Sequence, residues 1–258
     1  MPNKVVGSMS DWSGVLKDLF RQIDDGSITL ETIKAVVGHC GPDKIADLLV
    51  DWTIFWSKRG FAIGDISVPE KRPGFDRLLV IPQGLTIEQV FGICQKLFKV
   101  WRYTNQDLDE AIPTNDRTST NGSYAIWVRD RVEADEEFKN QSANTLKAVG
   151  HTGITVLERL IYEAKYFDET GKHLDITNIT LCAGSRYSDG GVPVVSWDGG
   201  NAKLFLGWCD PGYASGLLRS RAVVAWNLSL VACTCFPSGL HWWSPDFIFL
   251  NLRYAESG

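Results

Sequence analysis

The residues able to do nucleophilic or acid–base chemistry are few and scattered. An enzymatic site would draw on His151 or His173 together with Cys182 or Asp189, the makings of a small hydrolase. A cysteine nucleophile needs a base within hydrogen-bond reach and surroundings that favour the thiolate, and no nucleophile motif surrounds Cys182. His39 and Cys40 are adjacent, but neighbours in sequence do not face each other, and no further His or acid stands at ligand spacing. Cys40, Cys94, Cys182, Cys209, Cys233 and Cys235 include no Cys-x-x-Cys pair, so buried reduced thiols are expected. Glu133, Asp135, Glu136 and Glu137 read as the acidic start of a solvated helix, where negative charge is favourable. The pieces GSRYSDGG and SWDGGNA lack a Lys-Ser/Thr ending and lead into no predicted helix, so they do not read as phosphate loops. No catalytic residue is assigned, and neither a metal nor an organic cofactor is expected.

The stretch Leu181 to Ala225 has a different character. Between Lys172 and Glu256 there is one lysine, Lys203, and no Glu, Gln or Met, although the preceding residues are crowded with Glu and Lys. Short runs such as VPVVSW and KLFLGW read as strands separated by Gly/Asp/Asn turns, and turn-rich loops carry recognition. Ser, Gly, Asn and Tyr suit adaptable binding surfaces. From Arg186 to Leu218 every residue except Trp197, Lys203 and Trp208 is one that a codon ending in C or T gives when its first two bases vary. The ordinary depletion of Glu, Lys and Gln in a small β domain gives the same pattern.

The elements that must hold this stretch are legible by periodicity. Trp12, Val15, Leu16, Leu19, Phe20 and Ile23 share one helical face, a second short helix carries Leu30, Ile33, Val36 and Val37, and a third follows Pro42 with Trp52, Phe55 and Trp56. Segments 62–68 and 76–82 read as strands. Thr86 then opens a helix whose core candidates run from Ile87 to Trp101. Segment 103–122 is polar, a loop or linker and the best boundary, and 123–130 resumes as a strand. Over 152–170 a strong helix places Ile154, Leu157, Leu160, Ile161, Ala164 and Phe167 inward and Glu158, Arg159, Glu163 and Lys165 outward.

A chain of 258 residues, 44% hydrophobic, can bury a sizeable core in one large or two small domains. Its formal charge of −5, without a dense basic cluster, gives no reason to expect a nucleic-acid partner. The first residues show no apolar secretory core, and the longest apolar stretch, Ala222 to Phe236, is too short and interrupted for a membrane span. The expectation is a soluble, cytoplasmic protein.

Through GSYAIWVRDRVEADEE, GITVLERLIYEAKYFDETGKHLD, LCAGSRYSDGGVP and LRSRAVV, the sequence resembles a group of bacterial proteins that share these frames and differ between them. The pattern is similar to the variable proteins of diversity-generating retroelements, whose known members display randomised residues on a C-type-lectin-like fold. Gly184-Ser185-Arg186 and Leu218-Arg219-Ser220-Arg221 resemble the flanking segments of such domains, with Arg186 in place of a Trp and Leu218 in place of a Phe. Calcium-binding acidic motifs are not evident.

The resemblance implies an α+β class: an N-terminal helical region (1–105), a C-type-lectin-like mixed domain with short antiparallel strands (106–225), and a C-terminal extension (226–258). It implies recognition of a protein or other macromolecular ligand through Tyr187, Ser188, Ser196, Asp198, Asn201, Leu204, Leu206, Cys209, Asp210, Tyr213, Ser215 and Leu217. The N-terminal helices suit an interaction module as well. Leu157, Ile161, Trp127, Trp197 and Trp208 are expected to be largely buried.

Overall fold

The structure is a computed structural model that describes residues 9–27 and 44–226. The predicted second helix, His39, Cys40, Cys233 and Cys235 lie outside the described residues. The described residues up to Ala225 form one compact unit.

After helix α1 (Met9–Asp24), helix α2 (Lys44–Ser57) lays Trp52, Phe55 and Trp56 on strand β1 (Arg77–Ile81). Its indoles reach the strand backbone: Trp52 Nε1 donates to the Leu78 carbonyl at 3.1 Å and Trp56 Nε1 to that of Val80 at 2.9 Å. This lets large amphipathic rings be fully buried without orphaning their N–H groups. Segment 62–68, expected as a strand, does not form one; Ile63, Ile66 and Val68 pack half-buried on the core instead. Alternating apolar residues fit an extended segment lying on a core as well as they fit a strand.

Helix α3 (Ile87–Leu97) begins with a reciprocal cap between Thr86 and Gln89 and stops at Phe98. The expected core position Trp101 therefore leaves the helix and joins strand β2 (Val100–Arg102), where it is 39% exposed. The segment expected as a linker holds helix α4 (Leu108–Ala111), strand β3 (Thr114–Asn115) and the buried residues Leu108, Ala111 and Ile112. Strand β4 (Tyr124–Val128) pairs antiparallel with β1. No acid-rich helix starts at Glu133; a single 3-10 turn (Glu136–Phe138) precedes helix α5 (Ala143–Ala148).

Helix α6 (Val156–Thr170), opened by a Thr155/Glu158 capping box, packs on α3, β1 and the main sheet. That sheet comprises β2, β5 (Ile179–Leu181), β7 (Val192–Asp198), β8 (Lys203–Cys209) and β9 (Leu218–Arg219) in the order β2-β8-β7-β5-β9. Strand β6 (Ser185–Arg186) pairs with β3. The class is mixed α+β. The expected division near residue 105 is crossed by the parallel pairing of β2 with β8, so residues on both sides share one sheet and one core. No described helix is long and apolar enough to cross a membrane.

Candidate recognition surface

The hairpin β7–β8 is the centre of the stretch singled out by composition. Directly paired residues share a sheet face, so Val195 with Leu206 and Trp197 with Leu204 point together into the main core. Val192, Val194 and Cys209 point the other way, into a smaller core closed by Ala143 and Leu146 of α5. Two expected ligand contacts on the strands, Leu204 and Leu206, are thus fully buried, and Cys209 is nearly so. Tyr187 is buried as well, its hydroxyl donating to the Gly207 carbonyl at 3.2 Å. These four are corrected from ligand contacts to core, because a sheet covered on both faces leaves only its turns and ends to solvent.

Ser188, Asn201, Asp210, Tyr213 and Leu217 are exposed, and Ser196, Asp198 and Ser215 half-buried. Ser196 and Asp198 lie on β7 itself; the others occupy three connections: the β6–β7 turn, the β7–β8 tip and the loop from β8 to β9. The tip is closed by Asp198, which accepts from the Asn201 backbone at 3.1 Å and its side-chain amide at 2.7 Å. Asp210 accepts from the Gly212 amide at 2.7 Å.

Trp208, expected in the core, is 38% exposed. It shares the inward face with Leu206, but at the strand end the ring lies over Gly191, where a Cβ would fall 1.7 Å from its Nε1. The indole N–H is shared between Asp189 Oδ1 and Oδ2, both at 3.1 Å. The Gly191 amide first, and Trp208 second, hold the Asp189 carboxyl below its ordinary value. Tyr103, 58% exposed, stacks beside Trp208 at 6.4 Å between centroids. Sequence reading missed Tyr103 and the outward position of Trp208. The only signal was an aromatic at the edge of a polar segment.

Charged side chains clamp the frame under these turns. Asp175 accepts from Arg159 Nε at 2.9 Å, from Arg221 Nη2 at 2.7 Å, from the Ala134 amide at 2.8 Å and from the Thr180 hydroxyl. Burial pushes its carboxyl up, but Arg221 and Arg159 together with the Thr180 bond outweigh this and hold it below the usual value. Arg159 also donates to Glu163 at 2.8 Å, Glu163 meets His173 Nδ1 at 2.9 Å, and His173 stacks face to face on the half-buried Trp197. Glu158 accepts from Arg117 Nε at 2.6 Å, and Lys165 reaches Asp51 at 2.6 Å. Glu158, Arg159, Glu163 and Lys165, expected to face solvent, are all buried. The flank after the loops is equally fixed: Arg219 is bound to Glu136 at 2.6 Å, and Arg221 donates to the Arg131 and Val132 carbonyls.

The residues weighed for hydrolysis are not brought together by their bonds. Cys182 is fully buried, and burial pushes its thiol well up. His151 bonds the Ser220 hydroxyl at 2.9 Å, while burial first and Arg129 second push its imidazole down to about 4. Beside it lies a cleft of about 270 Å³ that also touches Lys147 and Arg186. His173 is engaged with Glu163 and Trp197, and Asp189 with Trp208. Among the described residues no group of three or more His, Cys, Asp or Glu is placed to hold a metal ion.

Fold and surface together define a mixed α+β frame in which the β6–β7 turn and the start of the β8–β9 loop share the Val192/Cys209 end of the hairpin, and the β7–β8 tip lies at the other. No protein-family model, curated protein or solved structure matches the chain.

Proposed function

We propose that this chain is a recognition protein, built on a C-type-lectin-like scaffold and serving as the target protein of a diversity-generating retroelement. The reading rests on one contrast. The segments expected to be constant, Ser185 before the loops and Leu218 to Arg221 after them, are buried and bonded into the frame, whereas Ser188, Asn201, Asp210, Tyr213 and Leu217 between them are exposed. Such a division lets side chains vary at the turns while core and clamps stay the same, because exposed substitutions away from caps and cores change stability by only about half a kcal/mol. The partner is a protein or other macromolecule bound through the turns.

Two measurements test this. Sequencing the DNA around the gene should find a reverse transcriptase gene and a near-copy of the codons for Arg186 to Leu218 that differs at adenines; without them the retroelement assignment falls. Thermal melts should show Ser188→Ala, Tyr213→Ser and Leu217→Ser close to the parent, and Trp197→Ala far below it. Turn variants that melt as early as Trp197→Ala would make the stretch structural and end the display reading.

A further inference from the structure

We infer that the platform formed by Tyr103, Trp208 and Asp189 receives a cationic side chain, an arginine in particular, of a protein partner. This rests on the display reading and names the chemistry of one of its contacts. Exposed tryptophans are ordinarily free to change rotamer, but Trp208 is held flat over Gly191 and tethered by its N–H to Asp189. Tyr103 is propped from beneath by the buried Tyr187, edge to face at 6.2 Å. Two exposed rings are therefore pre-set, and side chains that need no ordering on binding give more net affinity.

The charge around the rings selects the ligand. Asp189 accepts from the indole N–H through both oxygens and keeps its negative charge at that edge of the ring. The Ser188 amide bonds the Ala111 carbonyl at 2.9 Å, which places this turn against the end of α4. Residues 103–116, on the Tyr103 side, carry Asp107, Asp109, Glu110 and Asp116 and no Lys or Arg, and the turn 187–191 carries Asp189 and no Lys or Arg. A ring face attracts a cation through its quadrupole, and a planar guanidinium stacks on it while donating to a carboxylate. A neutral sugar could use the rings and donate hydroxyls to a carboxylate, but it lacks the positive charge that both the ring faces and the carboxylate attract.

The probe is N-acetyl-arginine amide, followed on the intact protein by the Trp208 indole N–H resonance, identified by its loss in Trp208→Phe. N-acetyl-citrulline amide, of the same shape without charge, is the control. The arginine amide should shift the resonance saturably and the citrulline amide should not. Asp189→Asn, which can still accept from the indole, should weaken arginine binding about two- to fivefold at low salt, and so should Tyr103→Ala. Equal shifts from both amides, a shift from galactose with none from arginine, or unchanged affinity in Asp189→Asn would overturn the inference. If a variant fails to fold, the two amides on the unaltered protein still decide. Failure here with turn variants still melting like the parent would leave the display reading standing, so the two fail separately.

Discussion

Replacing Asp175 by Asn would test whether the buried ion network is what makes the frame rigid. The substitution keeps the shape and removes the charge. Asp175 has φ of +53°, a conformation that Asn tolerates better than most residues, so backbone strain does not confuse the result. What is lost is the carboxylate that faces Arg159 and Arg221, both buried, and the new amide turns donors toward donors. Arg159 keeps Glu163, while Arg221 keeps two carbonyls, a hydroxyl and the Tyr162 ring but no carboxylate among the described residues. Removing one partner of a buried pair costs about 3–5 kcal/mol because the remaining charge stays buried without compensation. For a unit of this size each kcal/mol moves the midpoint about 2–4 °C, so Tm should fall by about 6–20 °C. Circular dichroism melts of the parent, Asp175→Asn, Arg221→Met and the double variant give the full cycle. The double variant should cost less than the sum, since the second change removes the charge that the first exposed. A fall below about 3 °C in the single Asn variant, or strict additivity, would refute the clamp.

Other consequences follow from the same geometry. Gly207→Ala should cost about 1–3 kcal/mol, since its Cβ would fall 2.3 Å from the Phe205 ring, whereas Gly199→Ala meets nothing within 4 Å and should be nearly neutral in denaturant titrations. The folded His151 titrates at about 4 and the unfolded one at about 6.5. The unfolded state therefore binds the extra proton between those values. Acidification from pH 6.5 to 4 should remove up to about 3 kcal/mol of stability that His151→Gln does not lose. The Asp175 contribution is retained in that window and lost only below the ordinary carboxylate value, as pH falls through its lower folded value. Cys182 should resist a thiol reagent at pH 8 in the folded protein and react once denatured, because burial both shields it and disfavours the thiolate; rapid labelling of the native thiol would reopen nucleophilic chemistry.

The sequence by itself determined the local elements. The helix after Thr86, the body of the helix expected over 152–170, which begins only at Val156, and the two strands of the hairpin follow from periodicity and end signals that act over a few residues. Core positions such as Leu157, Ile161 and Trp127 were legible for the same reason, being apolar residues on the predicted inner face. The tertiary structure decided which charged and aromatic residues stay wet. Glu158, Arg159, Glu163 and Lys165 sit on what reads as a solvent face. That face is covered, and they are matched by Arg117, Asp175, His173 and Asp51, some of them distant in the chain. In the other direction, Trp208 alternates with Leu206 as a core residue should, yet lies beyond the helices that cover the sheet and turns onto Gly191. Periodicity reports which residues share a face. Only the packing of one element on another decides whether that face meets water, because the partners that cover it or pair its charges are brought there by the fold and not by neighbouring sequence.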